Sequence, residues 1–264
     1  MAGERRFKVG VQLQPQHTTV DELRRAWKEA DAMEVDLVTT WDHFYPLYGD
    51  TSGAHFEGWT LLSAMAADTS HAMISLLVTC NSYRNPDLLA DMARTVDHIS
   101  HGRAVLGIGS GWYEKDYEEY GFDFGTAGSR LRDLESSLKR IKTRLAKLNP
   151  PPVGKLPIMI GGGGEQVTLR LVAEYADWWN GFADAFAQKT RVLDEWCAKV
   201  GRNPRDIVRT VSVRPERVES APTLVEQGAD LVIVNMGFER PGGRFNLDPV
   251  RRLLEIAEGA HATA

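Results

Sequence analysis

Leu106-Gly107-Ile108-Gly109-Ser110-Gly111-Trp112 and Ile158-Met159-Ile160-Gly161-Gly162-Gly163-Gly164-Glu165 are two apolar runs that break into glycine just past the end of a predicted strand. Glycine at that place lets backbone N–H groups approach a ligand, and a helix starting behind it adds the positive end of its dipole. The second run leads directly into Gln166-Val167-Thr168-Leu169-Arg170-Leu171-Val172, which reads as helix, so it is the better candidate for holding a phosphate. A plain flexible turn is the alternative reading of the same glycines. The first run alternates Gly107, Gly109 and Gly111, but a dinucleotide fingerprint needs its third glycine where Trp112 stands, and no helix follows promptly.

Outward from these runs the chain repeats strand, then helix. Phe7–Leu13 is a strand, and Thr19 with Glu22 reads as a capping box opening a helix with Val20, Leu23, Trp27 and Ala30 on one apolar face. Asp36–Thr40 follows as strand, Gly58–Asp68 as helix, and Met73–Thr79 as an unbroken strand buried on both faces. Asn85-Pro86 caps the next helix. Arg103–Gly109 is the fourth strand, and Ser129–Leu148 a helix with a leucine-rich stripe stopped by Asn149–Pro152. The remaining strands begin at Pro157, Asp177, Ile207 and Asp230, with helices at Asp184–Val200 and Pro249–Glu258. Eight such units without a linker predict an α/β fold of one domain over residues 1–264, a (β/α)8 barrel in preference to a doubly wound sheet.

Composition narrows the function classes. A net charge of −5 and no long basic stripe argue against nucleic acid. Two cysteines, Cys80 and Cys197, are too few for a disulfide framework or a structural zinc site, which suits a reducing cytoplasm. Arg5-Arg6 is followed by no apolar segment of export-signal length, and no run is long enough to cross a membrane. His17, His55, His71, His98, His101 and His261 lack metal-ligand spacing, so no metal is expected and these histidines read as surface or loop groups.

In such a barrel the chemistry sits on the loops after the strand carboxyl ends. That rule selects Gln12-Leu13-Gln14, Trp41-Asp42-His43, Cys80-Asn81-Ser82-Tyr83 and Ser110–Trp112 together with Gly161–Gly164. Asp42-His43 is either a loop-capping pair or an imidazole held in one tautomer to move a proton. Cys80 reads as a packed residue, for no base accompanies it. Trp178-Trp179 reads as one ring inward and one outward. Arg214, Arg217, Arg240 and Arg244 are either solvated surface or a catch for an anionic tail.

Taken together and in order, several motifs become specific. Phe7–Gln12, Trp41-Asp42-His43-Phe44, Leu77-Val78-Thr79, Tyr83–Ala90, Asp97–Arg103, Leu106–Trp112, Pro157–Gly164 and Ala173–Asn180 resemble the luciferase-like superfamily, in particular its branch of deazaflavin (coenzyme F420)-dependent oxidoreductases. The resemblance implies a barrel mouth that holds a deazaflavin, or FMN in the alternative, and a small organic substrate. It implies that Thr79-Cys80-Asn81 contains a cis non-proline peptide backing the ring, that Gly161–Gly164 binds the cofactor phosphate, and that Gly109, Ser110, Gly111 and Trp112 line the ring with Gln12. His43 is then the proton donor or substrate orienter, with Asp42 as its support. A homodimer follows from family habit.

The sequence departs from the family pattern in three places. Trp112 stands where some deazaflavin dehydrogenases carry a catalytic Glu. Asn149–Leu156 is shorter than the matching insertion, and Glu34 replaces a helix-ending Gly. An FMN-dependent monooxygenase and a deazaflavin-binding protein with little catalysis are the competing readings. A phosphosugar isomerase would need a Lys or Glu on an inner strand end, and none is evident.

Overall fold

The computed structural model describes residues 5–259; His261 lies outside them. The strands are β1 (Lys8–Leu13), β2 (Leu37–Thr40), β3 (Met73–Leu76), β4 (Thr79–Cys80) and β5 (Ala104–Gly109). They continue with β6 (Ile158–Gly161), β7 (Trp178–Phe182), β8 (Val208–Val213) and β9 (Leu231–Met236). Helices α1 (Val20–Ala32), α2 (Gly58–Asp68), α3 (Pro86–Ile99), α4 (Glu114–Tyr120) and α5 (Ala127–Leu145) alternate with the first strands. Helices α6 (Thr168–Tyr175), α7 (Phe186–Val200), α8 (Ala221–Glu226) and α9 (Asp248–Ala257) follow.

All pairings are parallel in the order β3-β2-β1-β9-β8-β7-β6-β5-β4, and β3 also pairs with β5. The sheet therefore closes, with β3 and β4 sharing one position, and the predicted (β/α)8 barrel is the observed fold. Register partners in a parallel pair point to the same face. Asn235, Gln12, Thr39 and Ser75 are successive partners across β9, β1, β2 and β3. Leu37, Val105, Met159, Trp178, Leu231 and Ile233 fill the barrel below them. The alternate residues, Val9, Val11, Val38, Trp179, Val211 and Val232 among them, pack outward on the helices in the main core. Trp178 thus faces in and Trp179 out, as the alternation requires.

Several local expectations are corrected. The run Met73–Thr79 is not one strand, because the chain breaks at a cis Leu77–Val78 bond. There the Leu77 carbonyl accepts from Gln12 Nε2 at 3.0 Å and the Val78 side chain turns into the barrel mouth, so the ladder cannot run through. The cis bond lies immediately ahead of Thr79, not inside Thr79–Asn81. Thr19 does cap α1, accepting from Glu22 N–H at 3.1 Å, yet the Glu22 carboxylate turns to Arg25 and Phe245 N–H instead of closing the box. Helix α5 ends at Leu145, short of Leu148, as its last turn tightens through Lys147 N–H to the Arg144 carbonyl at 2.9 Å. Glu34 takes a left-handed φ of +59° where a glycine is usual. His17 is buried and His55 half-buried, contrary to a surface role, because the long loop after β2 folds back over both.

Among the described residues no helix is long and apolar enough to cross a membrane, and no three metal-ligating side chains gather.

Candidate active site

The loop after β2 and the segment Ser110–Thr126 cross over the carboxyl ends of the strands. Helix α4 in that segment places Tyr113, Asp116, Tyr117 and Tyr120 on one side by its three- and four-residue spacing. Tyr83 and Tyr117 pack there with Cys80, Phe44, Phe122 and Phe124 as an aromatic cap beside the mouth. Asp116 sits inside this cap with no exposure. Its Oδ1 accepts Phe44 N–H at 3.1 Å and Tyr45 N–H at 3.2 Å, and its Oδ2 accepts Tyr83 Oη–H at 3.1 Å. His43 Nδ1 lies 2.8 Å from the same Oδ2. Two of the four partners are backbone N–H groups that can only donate and the Tyr83 phenol is a third donor, so the carboxylate serves as acceptor and His43 donates Nδ1–H to it.

This fixes the histidine's second nitrogen. In the neutral ring Nε2 carries the lone pair, and it has no partner among the described residues. Trp41, Trp112 and Tyr113 stand edge-on around the imidazole at 5.6, 5.7 and 5.5 Å between centroids. Burial first, then the neighbouring Cys80 and Asp116, pushes the Tyr83 phenol up, so it remains a donor to the carboxylate.

Asp42 does not support His43. Its carboxylate points the opposite way and is bridged by Arg84 at 2.6 and 2.9 Å, while its Oδ2 also accepts Cys80 N–H at 3.0 Å. Arg84 reaches on to Glu57 at 2.7 Å. Burial pushes the Asp42 carboxyl up, and Arg84 and the Cys80 amide oppose that shift. Arg84 keeps its charge, since a guanidinium does not give up its proton, and its two N–H groups with the Cys80 amide are what compensate a buried carboxylate here. Asp42 therefore anchors the turn after the cis bond, and the supporting carboxylate of His43 is Asp116.

Four of the predicted glycines answer to the protein's own side chains. A Cβ on Gly109 would lie 2.8 Å from Val78 Cγ2, and one on Gly161 3.0 Å from Val78 Cγ1. At Gly111, φ is +80° and a Cβ would meet Tyr117 Oη at 1.9 Å. A Cβ on Gly164 would likewise meet Thr168 Oγ1 at 2.8 Å, but Gly162 and Gly163 are different. Gly162 has φ +124° and only a Thr168 methyl nearby, and Gly163 faces the Lys189 stem at 3.6 Å.

Three carbonyls of this loop are tied back. The Gly162 carbonyl accepts Trp179 Nε1–H at 2.8 Å, the Gly164 carbonyl Leu169 N–H at 2.9 Å, and the Glu165 carbonyl Trp196 Nε1–H at 2.7 Å. In a planar trans peptide the N–H points opposite to the C=O. The amides of Gly163, Glu165 and Gln166 consequently turn away from the pinned carbonyls, as an anion-binding concavity requires. Lys189 stands beside them, its Nζ 2.7 Å from Glu165 Oε1.

A profile of the luciferase-like monooxygenase family matches residues 6–219. The chain belongs to the luciferase-like monooxygenase family. A phthiodiolone/phenolphthiodiolone dimycocerosates ketoreductase of Mycobacterium sp. (strain JLS) is 29% identical over 72% of the chain and 58% of its own length. The match thus spans little more than half of that relative. An F420-dependent secondary alcohol dehydrogenase solved with an F420–acetone adduct superposes with a TM-score of 0.82 at 14% identity, covering 97% of this chain and 99% of that one. The oxygenating constituent of 3,6-diketocamphane monooxygenase from Pseudomonas putida, solved with FMN, gives 0.71 at 14% identity over 95% and 97%. These two likenesses show the luciferase-like barrel.

The remaining predicted residues of this luciferase-like chain lie at the same mouth. Thr79 Oγ1 and Asn81 Oδ1 are buried without partners beside the cis bond. Cys80 is buried, its Sγ 3.2 Å from Tyr117 Oη, and burial raises its thiol, so a packed role fits. The Ser110 carbonyl accepts from Tyr117 Oη at 3.5 Å, and Trp112 stands 63% exposed on the rim. Arg217 pairs with Asp184 on the surface. Sequence reasoning picked out Tyr83 by its place after a strand but missed Asp116, Val78 and Lys189. The signal for Asp116 was an acid falling on the tyrosine-bearing side of α4.

Proposed function

We propose that this luciferase-like protein is a two-electron oxidoreductase that binds coenzyme F420 and acts on a small organic substrate. The observation that carries the reading is the pairing of two features at one mouth: a glycine loop whose Gly162, Gly164 and Glu165 carbonyls are pinned away, and His43 held in one tautomer by buried Asp116. Gly162–Gly164 with Lys189 fit a phosphate, and Thr79 Oγ1 and Asn81 Oδ1 beside Val78 are orphaned buried polar atoms suited to a ring's polar edge. When bound, the deazaflavin supplies hydride donation or acceptance at a ring carbon.

The chain's own residues supply the rest. Lys189 exchanges its bond to Glu165 for the phosphate. Val78 and the Asp42–Arg84 anchor behind it support the ring's back. His43 Nε2 takes a proton from an alcohol during oxidation, or delivers one to a carbonyl during reduction. Asp116 holds the ring oriented in both directions and stabilises the imidazolium. Trp41, Trp112 and Tyr113 limit water around the imidazole. A homodimer is part of the proposal and is tested by light scattering.

The test is a parallel fluorescence titration of the apo-protein with oxidised F420 and with FMN. Preference for F420, abolished by Gly162→Val, is the expected result. Preference for FMN moves the chain to the monooxygenase chemistry of its family name, and binding of neither overturns the redox reading.

A further inference from the structure

The sector of the mouth from β7 through β8 and β9 to β1 takes no part in the His43–Asp116 pair, and it meets the phosphate loop only through β7, where Trp179 holds the Gly162 carbonyl and the Asn180 carbonyl accepts Gly162 N–H at 3.1 Å. Its inward-facing positions follow from register. Trp178 faces the axis, so Asn180 and Phe182 do too; Val208 pairs with Trp178, which puts Thr210 and Ser212 inside; Asn235 pairs with Gln12. Above the bottom layer every polar residue in this set is neutral. Asn180 Nδ2 donates to Ser212 Oγ at 3.2 Å, and Asn235 Oδ1 is buried without a partner. Phe182 stands over them on the rim, 68% exposed.

Gln14 completes the sector. It continues β1, its N–H reaching the Met236 carbonyl at 2.9 Å, and it is 8% exposed. Its side-chain amide has no hydrogen-bond partner among the described residues. The Gly237 backbone has been left bare to receive it: a Cβ there would fall 1.7 Å from Gln14 Oε1 and 2.4 Å from its Cδ. Gly237 does not carry one of the positive φ angles that call for glycine, so the bare carbon serves the side chain above it and not the turn. The residue is mostly buried but its amide is not sealed off, so a side-chain amide seated on a glycine that makes room for it stays open to a ligand.

We infer that Gln14, within a neutral lining of Asn180, Ser212 and Asn235, forms a subsite for an uncharged carbonyl-bearing substrate, its carbonyl oxygen accepting from the Gln14 side-chain NH2 and its apolar body against Phe182. An anionic substrate finds no cation among the inward-facing residues of this sector, and its charge would be desolvated without compensation. The inference rests on the reading of this mouth as a redox site, and names the substrate class for it.

The experiment measures binding by ligand-observed NMR titration, on both the unloaded and the F420-loaded protein. The probes are cyclohex-2-en-1-one and its charged counterpart cyclohex-1-ene-1-carboxylate. Gln14→Leu and Gly237→Ala are compared with the unaltered chain; the second keeps every polar group but pushes the Gln14 amide off its seat, and is expected to fold normally because only a flexible side-chain end must move. The expected result is a preference for the enone and a fivefold to tenfold weakening, roughly one hydrogen bond, in both variants. Equal or better binding of the carboxylate, unchanged enone affinity in both variants, or no enone binding at all overturns the subsite. A failed F420 titration with enone binding still sensitive to Gln14 sinks the redox reading alone.

Discussion

Replacing Asp116 with Asn removes one charge and inverts a tautomer. The carboxylate receives four donors with no exposure: two backbone amides on Oδ1, and His43 with Tyr83 on Oδ2. An amide keeps one oxygen for the two backbone N–H groups and turns its NH2 toward the other pair. His43 must then present a lone pair at Nδ1, which moves its proton to Nε2, the nitrogen facing the mouth. Loss of a correctly held general acid–base costs about 10²–10⁴-fold in turnover. Four charge-assisted hydrogen bonds becoming neutral or lost cost roughly 2–4 kcal/mol of stability, lowering Tm by roughly 5–15 °C. The assay is ¹⁵N-histidine NMR to read the tautomer, with turnover and F420 affinity measured beside it. F420 affinity is expected to stay within about threefold, since less than 0.7 kcal/mol of binding passes through this pair. An Nδ1-protonated His43 in the variant, with turnover unchanged, refutes the reasoning.

Further expectations follow from other contacts. Arg84→Met leaves the fully buried Asp42 without its partner, and urea unfolding is expected to show a loss of about 3–5 kcal/mol; a loss below 1 kcal/mol would mean Asp42 is protonated or reached by water. Gly109→Ala drives a methyl onto Val78 and should cost roughly 1–3 kcal/mol and weaken F420 binding, read by calorimetry and titration. His55 is held at a pKa of about 4 by burial first and then by the neighbouring His43, while its unfolded value is 6.5. Between these values the unfolded chain binds the extra proton, so His55 makes stability fall as pH drops from 6.5 to about 4, by roughly 3 kcal/mol in all. His55→Gln should lose that share of the pH dependence while keeping an acceptor for Trp41; parallel denaturation curves of the two proteins at every pH would sink the idea.

The barrel was legible because its signals are periodic and local. Met73–Thr79, Arg103–Gly109 and the run from Pro157 read as strands from their apolar character, and Asn85-Pro86 announced α3. The break at Leu77–Val78 was not legible from periodicity, since an apolar residue that leaves the ladder to fill the mouth looks like one that stays. The site was half legible. His43 and the glycine loop stood out by residue type and position after strands. Asp116 did not, because what marks it is the company of His43, Tyr83 and two backbone amides brought in from segments far along the chain. Asp42 misled for the same reason: adjacency to His43 in sequence says nothing about direction, and consecutive side chains after a strand point apart.

Trp179 points away from the mouth, packs on Phe186, and has the look of ordinary filler between sheet and helix. Its indole nitrogen nonetheless holds the Gly162 carbonyl. An indole whose hydrogen bond ends on the loop that receives the phosphate is a natural optical probe placed behind the site. Its emission should move when a ligand tightens that loop, whatever the ligand's own spectrum. The same linkage makes the rear wall intolerant of swaps that conserve only bulk. A phenylalanine at this position would fill the space and release the carbonyl, so that a change among apparently structural residues would be felt first as altered ligand affinity.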